Sequence, residues 1–122
     1  MDEETSTGLK PNIAGLLCYL VGWVTGIVFL LLENDNRFVR FHAIQSIVVF
    51  GAVTVIFIVL SLLSAVFGLM GPLGFVSLIL GAISTIIWIL ALILWIVLMV
   101  KAYQGEYYML PVAGGMAEKH LG

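Results

Sequence analysis

The chain has 122 residues, of which 62% are hydrophobic and only 10% are charged, and its formal net charge is −2. An ordinary soluble domain carries roughly 25% charged residues, so this composition, with a mean hydropathy of +1.20, excludes that class. Three apolar stretches contain no Asp, Glu, Lys or Arg and exceed the roughly 18 residues needed to cross a bilayer core: Ile13–Leu32, Ala43–Phe67 and Phe75–Val100. The sequence therefore predicts an all-α integral membrane protein, with three transmembrane helices in a single domain of residues 1–122.

The first helix follows a polar N-terminal segment, residues 1–10. This segment begins with acidic residues where a secretory leader would be basic, so we expect helix 1 to be an uncleaved anchor. Pro11 suits a first helical turn, which predicts a start near Pro11 or Asn12 and an end around Leu32. Cys18 lies within this helix, and as the single cysteine it excludes an internal disulfide.

The second helix is preceded by a polar turn, residues 34–36. Asp35 or Asn36 is a suitable N-cap, which predicts that helix 2 begins near Arg37 and runs to about Phe67. We refer to Asn34–Ser46 as the hinge, because it is the dense cluster of polar groups between apolar runs.

The third helix follows a loop, residues 68–74, that contains three glycines and a proline. Such residues interrupt helices, and the shortness of the loop predicts that helices 2 and 3 form an antiparallel hairpin. Residues 101–122 form a C-terminal tail whose Lys101 and tyrosines suit the membrane interface. After Pro111, the sequence Val112–Leu121 is compatible with a short surface helix.

The orientation follows from the distribution of basic residues. With three spans, Lys10 shares one face with the uncharged 68–74 loop, whereas four basic residues lie on the other face: Arg37, Arg40, Lys101 and Lys119. The positive-inside rule then predicts that residues 33–42 and the C-terminus are cytoplasmic in the plasma membrane and that the N-terminus is outside.

Small residues recur at helical spacing in all three apolar stretches. Helices pack closely in lipid where side chains are small, so these stripes predict helix packing within the chain or self-association. A water-lined path is the alternative interpretation. The candidate packing residues are Gly15, Gly22, Gly26, Gly51, Ser61, Ala65, Gly81 and Ser84.

The polar residues of the hinge are the candidate contact site. His42, Gln45 and Ser46 share one helix face, and an unpaired amide at the depth of Gln45 would be costly, so Gln45 needs a partner. One interpretation is a satisfied hydrogen-bond cluster between helices, with Arg37 and Arg40 extending to the headgroups. The other is a binding or proton-handling site at His42.

Signatures of catalysis are absent from the sequence. The two histidines are far apart, Cys18 has no basic neighbour, and none of the three apolar stretches contains the carboxylate that often marks an ion-coupled carrier. We therefore predict no catalytic, metal or cofactor-binding residue, no cofactor, and a protein that is not an enzyme.

Three segments resemble a known family. They are residues 10–19, residues 22–33 and the Phe38–Ser46 run with its Phe-His-Ala-x-Gln-Ser element; Lys101–Glu106 and Leu110-Pro111 fit the same pattern. The chain resembles the small prokaryotic membrane-protein family, largely of unknown function, that is grouped with the Tic-type channel subunit of the chloroplast inner-envelope translocon. The resemblance implies a polytopic plasma-membrane protein, with a channel or translocation role as a distant analogy.

Two functions remain open at this point. The first is a structural or interaction component that packs with itself or with a membrane complex, with membrane lipids as its surroundings and no nucleic acid as a partner. The alternative is an oligomeric channel or transport component, whose path would be lined by hydroxyl side chains: Ser61, Ser64, Ser77, Ser84 and Thr85.

Overall fold

The computed structural model describes residues 4–121, and within that range the ordered elements are helices without a strand. They are α1 (Pro11–Leu17), α2 (Trp23–Leu32), α3 (Arg37–Gly68), a 3-10 turn (Gly71–Gly74), α4 (Phe75–Tyr103) and α5 (Ala113–Lys119). Among the described residues, α3, and α4 together with the 3-10 turn before it, are long and apolar enough to cross a membrane. The all-helical prediction is confirmed, whereas three spans are not.

The first predicted helix is interrupted. Residues 18–22 form a turn between α1, which has 7 residues, and α2, which has 10, and neither reaches the length of a span. Gly22 adopts φ 59° and ψ −135°, a backbone conformation that is open to glycine but strained for other residues. The prediction of one continuous helix over 13–32 was therefore wrong.

The second predicted helix begins at the predicted residue. The Asn36 side-chain oxygen accepts a hydrogen bond from the Val39 N–H at 3.1 Å, which is the geometry of an N-cap. The helix α3 then continues for 32 residues to Gly68, a length of about 48 Å. The third predicted helix corresponds to α4, which begins at Phe75 as predicted and ends at Tyr103.

The chain divides into two compact units. The terminal unit comprises the residues up to Gly51 and those from Trp95 onwards, and the hairpin unit comprises Ala52–Leu94. In the hairpin unit the large apolar side chains point outward, and Leu62 and Leu78 are 64% and 77% exposed. An apolar surface of this extent is typical of a membrane or protein contact.

The terminal unit encloses the start of α3. Its core joins Ala14 and Cys18 to Val39 and Ala43, so the first segment packs against the first two turns of α3. On another side, Ala117 of α5 packs with Phe41 and Ile44. The predicted short helix in the tail is thus present, and it helps to cover the hinge.

Candidate functional site

Polar side chains at the start of α3 are buried together. His42, Gln45 and Ser46 have no exposed surface, and their spacing places them on one side of the helix. His42 and Gln45 contact Tyr19, which is also fully buried. We call Tyr19, His42, Gln45 and Ser46 the polar cluster.

Both ring nitrogens of His42 are hydrogen-bonded. The Tyr19 hydroxyl lies 2.6 Å from Nδ1, and Nε2 lies 2.8 Å from the Glu106 carbonyl oxygen. Because a carbonyl only accepts, Nε2–H donates to Glu106, and in a neutral ring Nδ1 accepts from Tyr19. His42 therefore links the first segment to the tail.

Gln45 binds the backbone of the tail. Its Nε2 donates to the Tyr108 carbonyl at 2.9 Å and to the Tyr19 hydroxyl at 3.1 Å, while its Oε1 accepts from the Leu110 N–H at 3.0 Å. Both N–H donors and the oxygen of the buried amide thus have partners. Two of its three partners are main-chain groups more than 60 residues away.

Side chains also satisfy the interrupted backbone of residues 18–22. Ser46 Oγ donates to the Gly22 carbonyl at 2.9 Å, Thr25 Oγ1 donates to the Cys18 carbonyl at 3.1 Å, and the Trp95 indole N–H donates to the Tyr19 carbonyl. The Gly22 carbonyl also accepts from the Gly26 N–H at 3.3 Å and the Tyr19 carbonyl from the Gly22 N–H at 3.1 Å, so the side chains add to the backbone pairing of the turn. These side-chain hydrogen bonds therefore stabilise the turn at residues 18–22.

Aromatic rings enclose the polar cluster. Phe38 and Phe41 pack edge-on against the His42 ring, with centroids 4.6 Å and 5.1 Å away. Tyr107 of the tail lies 5.2 Å from both phenyl rings. Edge-to-face packing of this kind is favourable, and it excludes water from the imidazole.

Glu33 and Arg40 fix the turn before α3. Glu33 is fully buried, and its Oε2 accepts the N–H groups of Ser6, Asp35 and Asn36 at 2.8, 3.1 and 3.1 Å. Arg40 Nη1 donates to the Glu33 carbonyl at 2.6 Å and to the Leu30 carbonyl at 3.3 Å. Arg40 thus caps the end of α2, whereas Arg37 is exposed.

The Glu33 carboxylate should make the stability of this turn depend on pH. Burial opposes its ionisation, but the backbone N–H groups of Ser6, Asn36 and Asp35 outweigh burial and hold the pKa of Glu33 below its usual range. A group with a lowered pKa stabilises the fold above its unfolded pKa, and this stabilisation is lost as the pH falls through the folded pKa. We expect acid below about pH 4.5 to loosen the N-terminal segment.

Protection of residues 4–12 from proteolysis, measured in detergent from pH 7 to pH 3, would check this expectation. Glu33→Gln should lose about 1–2 kcal/mol of stability at pH 7 and show a weaker response to acid. The exposed Glu118→Gln is the matched control and should resemble the wild type. Equal acid responses in the wild type and Glu33→Gln would contradict the assignment.

The predicted packing residues fall into two groups. A methyl group placed on Gly15 would lie 2.8 Å from the Phe38 ring, and one placed on Gly26 would lie 2.9 Å from the Ala43 carbonyl oxygen, whereas Gly51 and Gly81 have no such neighbour within 4 Å. The Cβ of Phe50 would lie 3.4 Å from a methyl group on Gly22. The remaining candidates lie at least partly on the surface of the hairpin unit: Ser61, Ala65 and Ser84.

Sequence reasoning missed three members of this site: Tyr19, Thr25 and Trp95. Each is a hydrogen-bonding side chain within an apolar run, and a buried hydroxyl or indole N–H requires a partner. That signal was present in the sequence. Within residues 4–121, no group of three or more His, Cys, Asp or Glu side chains is placed to hold a metal ion.

A buried, internally paired polar cluster combined with long, outward-facing apolar helices defines a small helical membrane protein. The chain belongs to the MamF/MmsF family, described as the magnetosome magnetite crystal formation protein family, which it matches over residues 5–117. It is also similar to archaeal proteins named UPF0132 membrane proteins.

One such relative, from Methanocaldococcus jannaschii, is 44% identical over 117 residues, which cover 96% of this chain and 94% of the relative. A second relative from that organism is 43% identical over 113 residues, which cover 93% of this chain and 71% of the relative. A relative from Archaeoglobus fulgidus is 40% identical over 115 residues, which cover 93% of this chain and 98% of the relative. No solved structure matches the chain. The protein is therefore a membrane protein of a family whose biochemical role is unknown.

Proposed function

We propose that the chain is a non-enzymatic structural component of the membrane, which packs with a second copy of itself through the hairpin unit. The observation that carries this proposal is the contrast between the two units. The polar cluster is paired within the terminal unit, whereas the hairpin unit presents apolar side chains, with Ala65 and Gly81 among them, to its surroundings.

Two shallow grooves on the hairpin unit support a helix-packing role. Their volumes are about 360 Å³ and 350 Å³, and both are bordered by Phe57. Two hydroxyl side chains lie among the large apolar residues that line each groove, and small residues of this kind permit close approach of a neighbouring helix in lipid. The hydroxyl side chains are Ser84 and Thr85 in one groove and Thr54 and Ser61 in the other.

The sequence resemblance to a family that is grouped with the Tic-type channel subunit makes an oligomeric channel or translocation component the competing proposal. Two of the five hydroxyls that would line a path find acceptors within the hairpin unit itself. Ser77 Oγ donates to the Gly74 carbonyl at 2.7 Å, and Thr85 Oγ1 donates to the Gly81 carbonyl at 2.9 Å. Because these two groups do not require water, they support packing over a pore.

We place the protein in the plasma membrane with residues 33–42 and the C-terminus on the cytoplasmic side. The basic residues of these two segments support this orientation under the positive-inside rule. Lipids and a second copy are the proposed partners, without nucleic acid.

Energy transfer between donor- and acceptor-labelled copies in liposomes, measured as lipid is added, would test self-association. We expect Ala65→Leu and Gly81→Leu to weaken association about tenfold, equivalent to a loss of about 1.4 kcal/mol. The matched control is Ala52→Leu, because Ala52 is also exposed but lies thirteen positions from Ala65, on the opposite side of an α-helix.

The same liposomes distinguish the competing functions. Solute flux that rises with association and falls in Ala65→Leu would favour the channel. If the wild-type protein remained monomeric at all lipid ratios, or if Ala52→Leu weakened association as much as Ala65→Leu, the packing proposal would be wrong.

A further inference from the structure

We infer that residues 11–32 form a re-entrant helix pair, which enters the membrane and returns to the same face, and that its outer surface contacts the acyl chains of a single leaflet. Residues 18–22 form the tip of this pair. The inference rests on three observations in the terminal unit: the contacts between the two ends of the pair, the depth of its tip, and the pairing of its irregular backbone.

The two ends of the segment are hydrogen-bonded to each other. The Ser6 N–H donates to Glu33 Oε2, and Ser6 Oγ donates to Asp35 Oδ2, each at 2.8 Å. In return, the Asn34 N–H donates to Ser6 Oγ at 3.0 Å. The flanks of a spanning helix would be separated by a hydrocarbon core about 30 Å thick, so these contacts require both flanks on one face.

The end of α4 lies at this same face. Asn12 Nδ2 donates to the Tyr103 carbonyl at 3.1 Å, and His42 donates to the Glu106 carbonyl. Because Tyr103 is the last residue of α4, the N-terminal segment, the hinge and the tail all meet at one end of the terminal unit.

Distances along three helices place the tip at a similar depth. The 10 residues of α2 span about 15 Å, which is about half of the hydrocarbon core. Ser46, which contacts the tip, lies about 14 Å along α3 from Arg37, and Trp95 lies about 12 Å along α4 from Tyr103. The tip is therefore expected near the middle of the bilayer.

Irregular backbone at this depth is tolerated only where protein satisfies it. The hydrogen bonds from Ser46, Thr25 and Trp95 supply such pairing to three carbonyls of the tip, those of Gly22, Cys18 and Tyr19. The outer surface of the pair is apolar and exposed, which suits lipid chains; it includes Leu20, Val21, Val24, Val28 and Leu31.

This topology distributes the basic residues between the two membrane faces differently from the three-span topology. With α3 and α4 as spans, only the 68–74 loop lies on the opposite face, and it has no basic residue. All five Lys and Arg residues of the chain then share one face, a division of five to none instead of four to one. Under this topology the positive-inside rule predicts that the N-terminus is cytoplasmic together with the hinge, which differs from the sequence-based expectation that it lies outside.

Labelling of single cysteines with a membrane-impermeant maleimide tests the topology. In a Cys18→Ser background, Glu4→Cys, Asn34→Cys and Glu118→Cys place a thiol on the N-terminal segment, the hinge and the tail, and Leu69→Cys places one in the loop. We expect the first three to react in inverted membrane vesicles and Leu69→Cys to react in right-side-out vesicles. Reaction of Glu4→Cys from the face opposite Asn34→Cys would overturn the inference.

The depth of the tip provides a second test that does not depend on self-association. A fluorophore on Leu20→Cys should be quenched best by lipids brominated near the bilayer centre, whereas one on the matched Leu31→Cys should be quenched best by lipids brominated near the headgroups. If Leu20→Cys were quenched at headgroup depth, the pair would lie on the surface, and the re-entrant assignment would be wrong.

Discussion

Replacement of Gln45 by Leu is expected to release the C-terminal tail from α3. The change removes three hydrogen bonds and leaves the partly buried Leu110 N–H and Tyr108 carbonyl without their partner. Each hydrogen bond contributes about 0.5–1.5 kcal/mol, so the loss of three is expected to cost about 2–4 kcal/mol of stability. Limited proteolysis of the tail and thermal unfolding in detergent would measure the two effects.

Arg40→Ala is the control for this prediction. Arg40 also donates to two backbone carbonyls, but it is only partly buried, so water can replace its hydrogen bonds. We expect a smaller loss, of about 1 kcal/mol, and an intact tail. An equal effect of the two substitutions, or a larger effect of Arg40→Ala, would mean that the tail does not depend on the amide.

The sequence predicted the need for this contact but not its partner. The spacing of His42, Gln45 and Ser46 placed their side chains on one face, and the cost of an unpaired amide required a hydrogen bond. The partners are largely main-chain groups of the tail and of residues 18–22. Every residue has a backbone carbonyl, so no pattern of side chains identifies which one will be used.

The boundaries of α3 and α4 were predictable because local chemistry determines them. Asn36 caps α3, and the glycines of the 68–74 loop separate the two long helices. The interruption of the first segment was not predicted, because composition alone cannot distinguish one membrane-length helix from two short ones. Gly22 and Gly26 suggested a single packing face, whereas Gly22 forms the turn and Gly26 the contact.

Gly26→Ala is expected to be among the most destabilising single-methyl additions to α2. The new methyl group would lie 2.9 Å from the Ala43 carbonyl oxygen and 3.2 Å from the Ser46 Cβ. Backbone atoms of a long helix cannot move aside easily, so α2 would have to shift. Overpacking of this kind costs about 1–3 kcal/mol. Denaturant or thermal unfolding in detergent would measure the loss.

Gly51→Ala is the matched control, because it makes the same substitution at a helical glycine whose added methyl group has no neighbour within 4 Å. It removes a poor helix former and should be neutral or stabilising by up to about 1 kcal/mol. Comparison with Ala65→Leu separates folding from assembly. Gly26→Ala should lower stability without changing association in liposomes, whereas Ala65→Leu should weaken association without lowering stability. Equal stability of Gly26→Ala and Gly51→Ala would contradict the close packing of α2 on α3, on which the position of the re-entrant pair depends.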